Sequence, residues 1–238
     1  MSTLNLLYKR EYAINDSIKI IIPTVGEIID NEDDYYNIVT VLTAMPIDVL
    51  VQLDDAGIDF TEINEYELFL LMSAGLKTLD THLVFGDLDL SKFELAVNQQ
   101  NGNVVLRDPE NDIVIDRAIH SKIAGVLRKI HHLEKNRRKP ANQEAKDYML
   151  QRARDKMQRN RNRKQESQLE PLIIAMVNVE QYKYDFEGTR ELSIYQFNES
   201  VRQIIKKVDY DNRMYGVYTG TINAKELSQD DLNWLIHK

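Results

Sequence analysis

The side chains in this sequence that could do chemistry are, first, two groups of carboxylates. Asp87 and Asp89 have the DxD spacing that a metal-dependent hydrolase could use, and Asp108, Glu110 and Asp112 resemble the start of a calcium loop. Such a loop also needs a glycine at its sixth position and a glutamate at its twelfth, and both are missing. Because aspartate is common in turns and helix caps, we predict those roles for both groups.

Histidine is the other candidate for metal or acid–base chemistry. His131 and His132 are adjacent, with His120 and Glu134 nearby, but neighbouring residues of a helix point about 100° apart. The HExxH and CxxC spacings, the glycine-rich phosphate loops and the GxSxG elbow do not occur. We therefore expect no metal site, no cofactor and no enzymatic activity, and histidines that face solvent or are partly packed.

Charge is distributed very unevenly along the chain. Residues 20–76 contain no lysine or arginine but twelve acidic residues, whereas residues 128–164 contain fourteen basic residues and four acidic ones. The net charge of the whole chain is −8, so the sequence outside 128–164 carries −18. Blocks of opposite charge indicate electrostatically guided association with a partner or with another copy of the chain.

The basic block supplies the candidate binding residues. Residues 128–164 could follow a row of phosphates, with strongly salt-dependent affinity. They include one aromatic residue, Tyr148, and so lack a stacking platform for single strands. A protein partner is therefore favoured over nucleic acid. The predicted partner-binding residues are Arg137, Arg138, Lys139, Arg152, Arg154, Arg159, Arg161, Arg163 and Lys164.

Composition indicates an ordinary soluble globular protein. Hydrophobic residues make up 43% of the chain and charged residues 29%. Cysteine is absent, which excludes disulfides and thiolate metal sites. The first residues lack the apolar region of a signal peptide, and the longest apolar runs are far too short to span a bilayer. We expect a cytoplasmic protein without a membrane partner.

The N-terminal residues predict a β-hairpin followed by a short helix. Residues 6–14 and 17–22 are rich in apolar, aromatic and β-branched residues, and Asn15-Asp16 between them is a turn signal. Thr24 and Glu27 have the spacing of a capping box, which predicts that a helix begins there.

Residues 33–76 predict a series of helices with acidic outer faces. Apolar residues recur at roughly helical spacing, and Pro46 divides the pattern. Asn64 and Glu67 form a second capping signature, and Gly75 is predicted to end the helix that they begin.

A small antiparallel sheet of three or four strands is predicted near residues 82–115. Asn101-Gly102, a strong hairpin signal, lies between two of the β-leaning runs. The runs are residues 82–85, 92–97, 104–107 and 113–115.

The remaining residues predict helices. An apolar stripe runs through residues 119–133, whereas residues 142–168 are polar on nearly every face and predict a long basic arm, partly disordered at 159–168. Another helix is predicted to begin after Ser193, and Ser228 is predicted to cap a final helix that carries Leu232, Trp234, Leu235 and Ile236.

The predicted fold class is α+β, predominantly helical, with a small N-terminal hairpin, a central antiparallel sheet and a long exposed basic helical arm. Four segments follow from the changes in pattern: a hairpin with an acidic helical region, a small sheet with a helix, a basic arm or linker, and a C-terminal helical region. Their bounds are 1–80, 81–141, 142–168 and 169–238. The last segment could share one compact domain with residues 1–141.

Much of the chain resembles a family of tailed-bacteriophage proteins encoded among virion-assembly genes. The resemblance is carried by LSIYQFNESVRQIIKKVDYDNRMYGVYTGTINAKELSQDDLNWL at residues 192–235. It extends to IPTVGEI, MPIDVLVQLDDAGIDF, FGDLDLSKF, RKIHHLEKNRRKPANQEAKDYM and NRKQESQLEPLIIAMVN. The resemblance implies a non-enzymatic protein of virion assembly, either a tail-assembly chaperone or a structural part of the particle, acting in the host cytoplasm or in the virion.

Two functional hypotheses follow from the sequence. The first is a morphogenesis protein that binds tail or other virion proteins, and the alternative is a nucleic-acid-binding accessory protein that uses residues 128–164. Self-association is a further expectation, in which the basic arm projects and meets the acidic face of a second copy. That face is formed by Asp30, Glu32, Asp33, Asp34, Asp54 and Asp55.

Overall fold

The computed structural model describes residues 3–99, 102–161 and 166–235, and the fold is α+β and mainly helical, which confirms the predicted class. The first elements are α1 (Thr3–Tyr8), β1 (Glu11–Ala13), β2 (Lys19–Ile21), α2 (Val25–Ile29), α3 (Glu32–Thr43), α4 (Leu50–Asp55), α5 (Glu65–Leu76) and α6 (His82–Phe85). They are followed by β3 (Glu94–Val97), β4 (Val104–Asp108), β5 (Ile113–Ile115), α7 (Arg117–His131), α8 (Gln143–Asn160), α9 (Glu170–Val177), α10 (Phe186–Glu191) and α11 (Ile194–Tyr218). Within the described ranges, no helix has the length and apolar character needed to cross a membrane.

Three helices begin with reciprocal capping boxes at positions where the sequence has capping residues. The backbone N–H of Glu27 donates to Oγ1 of Thr24 (3.1 Å), and the backbone N–H of Thr24 donates to Oε2 of Glu27 (2.6 Å). The same pair of bonds begins α5 at Asn64–Glu67 and α11 at Ser193–Gln196. Each box satisfies backbone donors that a helix start leaves without an intrahelical acceptor.

The apolar stripe of α7 is the centre of the main core. Ile123, Val126, Leu127 and Ile130 are completely buried on the predicted face, whereas Leu133, the last residue of the predicted stripe, follows the helix and is exposed. The stripe packs against α3, α5, α11, β2 and β5. Because the same core extends from Leu6 to Val201, the predicted segments 1–80, 81–141 and 169–238 share it.

A smaller hydrophobic cluster lies beside the main core, around α4 and the 3₁₀ turn Pro46–Val49. Helix α8 packs against this cluster with Met149, Leu150 and Ala153. The buried members of the cluster are Ala44, Ile47, Leu50, Val51, Leu53, Phe60 and Leu68.

Both small sheets are antiparallel. β1 pairs with β2, and the second sheet has the order β3-β4-β5, so the described residues contain three central strands. Gly102 has φ +71°, a conformation that favours glycine, and it follows β3 in the turn to β4. The other half of the predicted turn signal, Asn101, lies outside the described residues.

One predicted strand begins later than expected, and another is helical instead. The first strand, predicted at residues 6–14, begins only at Glu11, because residues 3–8 form α1. This helix buries Leu6, and the Leu7 carbonyl accepts a hydrogen bond from Nε2 of Gln196 (2.9 Å). Residues 82–85 form α6, which buries both Val84 and Phe85. In a strand these two neighbours would point to opposite faces, whereas one helical turn directs both into the core.

Two predicted helix boundaries are also wrong. Helix α5 continues past Gly75 and buries Leu76. The segment after Ser228 forms turns rather than a helix, because α11 binds its carbonyl groups: Gln203 Nε2 donates to the Trp234 carbonyl (2.7 Å) and Lys206 Nζ to that of Asp230 (3.0 Å). Ile236, which the sequence places on that helix, lies outside the described residues.

Two histidines are more deeply packed than the sequence predicts. His120 is buried and stacks on Phe69 with ring centroids 4.3 Å apart. Nε2 of His131 lies 2.8 Å from the hydroxyl of Tyr35. Burial lowers the pKa of each histidine to about 4 because it disfavours the charged ring.

These two histidines predict a loss of stability in acid. The unfolded chain takes up their protons near pH 6.5, whereas the folded protein takes them up only near pH 4, so the free energy of unfolding should fall as the pH falls through this window. His120→Leu should remove about half of that contribution, since His131 remains. Urea unfolding at pH 7, 5.5 and 4.5 measures both slopes, and equal slopes for the two proteins would contradict the assignment.

Candidate partner-binding groove

The basic helix α8 lies against the acidic helix α4 of its own chain. Nη2 of Arg154 is 2.6 Å from Oδ2 of Asp54 and 2.6 Å from Oδ1 of Asp55. About two turns before Arg154 on α8, Lys146 forms an ion pair with Asp59. The hydrogen bond from Lys146 lowers the pKa of Asp59 to about 2, which keeps this carboxylate charged at neutral pH.

This packing corrects the prediction that the basic arm projects from the body, for the part of the arm that helix α8 forms. Helix α8 has no buried residue, but its inner face contacts α4 and the small hydrophobic cluster. Other parts of the acidic face are also paired within the chain: Asp30 with Arg190 (3.0 Å), and Oε1 of Glu32 with the backbone N–H groups of Gln168 (2.6 Å) and Leu169 (3.0 Å).

The outer cations of α8 remain exposed. The guanidinium of Arg152 lies 5.8 Å from the ring centroid of Tyr148, and Nε of Arg159 donates to the carbonyl of Asp155 (3.2 Å). Arg161 follows the helix and is exposed. Two further predicted binding residues, Arg163 and Lys164, lie outside the described residues.

The loop between α7 and α8 holds the other three predicted binding residues in place. Nζ of Lys135 donates to Oε2 of Glu65 (2.7 Å), and Nδ2 of Asn136 donates to Oδ1 of Asp48 (2.9 Å). Arg137, Arg138 and Lys139 follow directly and are exposed. Two consecutive side-chain anchors therefore fix where this basic triplet begins.

The basic triplet forms one rim of a groove of about 340 Å³. The opposite wall is apolar and includes Pro46, Ile47 and Phe60, which are buried, together with the partly buried Met45 and Ile63. This volume is near the lower end of the range for ligand pockets, so it suits a single side chain or a short segment.

The only carboxylate that lines the groove, among the described residues, is Glu65. Burial would raise its pKa, but hydrogen bonds from Lys135 and Arg128 outweigh this effect and hold the pKa below its usual value. Nη2 of Arg128 is 2.6 Å from Oε1 of Glu65, so the negative charge faces two cations of its own chain. Arg137, Arg138 and Lys139 form no ion pair with any described residue, and the groove is therefore positive in a chain of net charge −8.

The sequence identifies the rim of this groove but not its wall. The triplet is visible as a run of like charges, whereas Pro46 and Phe60 lie almost eighty residues or more away and give no sequence signal beyond being apolar. Tertiary contacts bring them beside residues 137–139: Phe60 packs in the small hydrophobic cluster, and Lys135 and Asn136 bind Glu65 and Asp48.

One residue of each carboxylate group singled out in the sequence has a local structural role. Oδ1 of Asp89 accepts a hydrogen bond from the backbone N–H of Ser91 (2.9 Å), and Oδ1 of Asp108 accepts one from that of Glu110 (2.9 Å). These are the cap and turn roles that the sequence predicts for them. No group of three or more potential metal ligands occurs in residues 3–99, 102–161 and 166–235.

No protein-family model matches this chain, and neither the curated proteins nor the solved structures contain a match.

The contact between α8 and α4 predicts how α8 is released. Leu150→Ser should weaken the apolar part of the contact, so trypsin should cut sooner at the lysines and arginines of α8. Gln151→Ser, the matched change on the outer face, should leave the cleavage rate unchanged. Mass spectrometry of timed digests at low trypsin concentration measures the rate of cleavage within α8. Equal rates for the two variants would contradict the docking of α8.

Proposed function

We propose that this chain is a non-enzymatic binding protein that holds an acidic segment of another protein in the groove beside Arg137, Arg138 and Lys139. The observation that carries the proposal is that three exposed cations, which pair with no carboxylate of the described residues, and an apolar wall line one groove. Carboxylates of the segment pair with the rim, and one apolar side chain contacts the partly exposed Met45 and Ile63 of the wall.

The same geometry favours a protein over a nucleic acid. Four cations of the basic block, Arg128, Lys135, Lys146 and Arg154, are already paired with carboxylates of the chain. The aromatic ring in the groove wall, Phe60, is 6% exposed and offers no face on which a base could stack.

Virion assembly is the biological setting that we propose. The support is the resemblance of residues 192–235, and of shorter segments along the chain, to assembly proteins of tailed bacteriophages. It makes a tail or other virion protein the partner to test and the host cytoplasm the place of action. A chaperone would be absent from finished particles, and a structural part would be present in them.

The binding role is tested with a fluorescent ten-residue peptide of Asp and Glu that carries one central Leu. Replacement of Arg137, Arg138 and Lys139 by Ser should weaken binding about tenfold or more, because three charge-assisted contacts are lost. The matched control replaces Arg152, Lys156 and Arg159 of α8 by Ser and should bind as the wild type does. Fluorescence anisotropy at about 50 mM salt measures the affinities.

Three results would contradict this role: no saturable binding, equal weakening in the two triple variants, or tighter binding of an oligonucleotide than of the peptide. The assembly setting has a separate test in infected cells. The tagged chain should co-purify with a tail or other virion protein, and the groove variant should lose that protein while the α8 variant keeps it. If the groove variant still co-purifies with every virion protein that the unmodified chain binds, this setting is contradicted.

A further inference from the structure

The second half of α11 presents its apolar side chains to solvent. Val208, Tyr215 and Tyr218 are 36%, 71% and 85% exposed, and Ile205 beside them is 61% exposed. The first half of the same helix is part of the main core, where Ile194, Phe197 and Val201 are buried. The helix therefore continues beyond the main core, and its apolar side chains are exposed there.

These residues lie on a single stripe with a seven-residue repeat. Spacings of three and four residues alternate without interruption from the first turn of α11 to the last, which is the a/d pattern of helices that pair lengthwise. Seven of the eight positions are apolar or aromatic, and Asp211 is the exception. The positions are Ile194, Phe197, Val201, Ile204, Val208, Asp211, Tyr215 and Tyr218.

The chain covers the other side of this helix. The C-terminal segment, residues 219–235, turns back at Gly220 and runs along α11. It contacts the helix through Lys206, Arg213 and Gly216: Lys206 Nζ donates to the Asp230 carbonyl (3.0 Å), Arg213 pairs with Asp231, and an added Cβ on Gly216 would lie 2.6 Å from Ile222. Trp234 also contacts the helix, through Gln203 and through Lys207, whose Nζ lies 5.9 Å from the Trp234 ring centroid. At about 100° per residue, the first three contacts lie roughly opposite the a/d stripe, and the contacts of Trp234 lie on one flank of it.

This arrangement is the reverse of what a surface helix normally shows. A helix on the surface of a monomer buries its apolar stripe and exposes its polar side. Here Val208, Asp211, Tyr215 and Tyr218 are exposed, whereas Arg213 and Val217 on the other side are half-buried. An apolar stripe with this repeat has the geometry to receive a second helix.

We propose that this helix is the α11 of a second copy, packed antiparallel. Two copies supply identical stripes, which is the condition for a closed two-fold interface. In a parallel pair, Asp211 would face Asp211 of the second copy, and the two carboxylates would repel each other. In the antiparallel pair, Asp211 lies opposite Val208 of the second copy and beside its Lys207, and Ile204 lies opposite Tyr215.

Lys207 and Asp211 bring opposite charges to the middle of the stripe. Within one chain, Nζ of Lys207 is 2.6 Å from a carboxylate oxygen of Asp211. The antiparallel pair adds a second lysine to each aspartate, so four charges of alternating sign lie at the middle of the stripe. This inference does not rest on the proposed function, because the groove and the α11 stripe share no residue.

The exposed part of the stripe is short, so the dimer is expected to be weak. Ile204 is half-buried against the main core, so the exposed part is residues 208–218, which span about 16 Å of helix. The interface is therefore smaller than that of an obligate dimer. A reversible monomer–dimer equilibrium with a dissociation constant on the order of micromolar is the expected behaviour. Because the contact is mainly apolar, it should persist at about 0.5 M salt.

Sedimentation equilibrium of the full chain tests the dimer. The mass should rise toward that of two copies with increasing concentration, and Val208→Glu should hold it at one copy. Val97→Glu, the same substitution at a 63% exposed position on β3, is the matched control and should dimerise as the wild type does. A monomeric wild type at every concentration, or equal loss in the two variants, would overturn the proposal.

The cysteine-free sequence permits a direct test of direction. An oxidised mixture of Val208→Cys and Asp211→Cys chains, one of them tagged, should form a mixed disulfide, since these positions face each other in the antiparallel pair. Tyr218→Cys alone should not cross-link to itself, because the two copies of residue 218 lie at opposite ends. Cross-linking of Tyr218→Cys without the mixed product would establish a parallel pair and refute the antiparallel one.

Discussion

The buried guanidinium of Arg128 connects the parts of the fold on which the groove depends. It lies on α7 with 6% of its surface exposed, pairs with Glu65 at the first turn of α5, and donates to the carbonyl of Thr43 at the end of α3. Lys135 occupies the other carboxylate oxygen of Glu65 and so fixes the loop after α7. Removal of one partner from such a buried pair costs about 3–5 kcal/mol, because the other charge is left uncompensated. The main core, the small cluster and the basic triplet are therefore joined through one residue.

Parts of the opposite charge blocks of the sequence are paired within the chain. Arg154 and Lys146 on α8 are paired with carboxylates in and after α4, and Arg190 is paired with Asp30. These exposed pairs contribute little stability one by one, but they neutralise the residues that the linear pattern marks for association. Within the part of the chain that the structure describes, the triplet at 137–139 has no carboxylate partner and remains available for binding.

The groove and the α11 stripe differ in chemistry but share one physical advantage, which is that each is held in shape before anything binds. The groove rim is anchored by Lys135 and Asn136, and its wall belongs to a packed cluster. The stripe continues a helix whose first turns are buried in the core and whose opposite side is supported by residues 219–235. A surface ordered in advance loses less conformational entropy on binding than a disordered one, so short contacts of this kind suffice for reversible association.

The sequence by itself determined the features that depend on neighbours within about four residues. The capping boxes at Thr24, Asn64 and Ser193, the buried stripe of α7 and the basic triplet are all local patterns, and the structure contains each of them. The tertiary structure decided the features that depend on distant partners. Residues 82–85 are helical because one turn buries two neighbours, and residues after Ser228 are not helical because α11 binds their carbonyls. The docking of α8 on α4 and the wall of the groove join residues about eighty to one hundred positions apart, and no local pattern encodes such contacts because they arise only when the two hydrophobic clusters close.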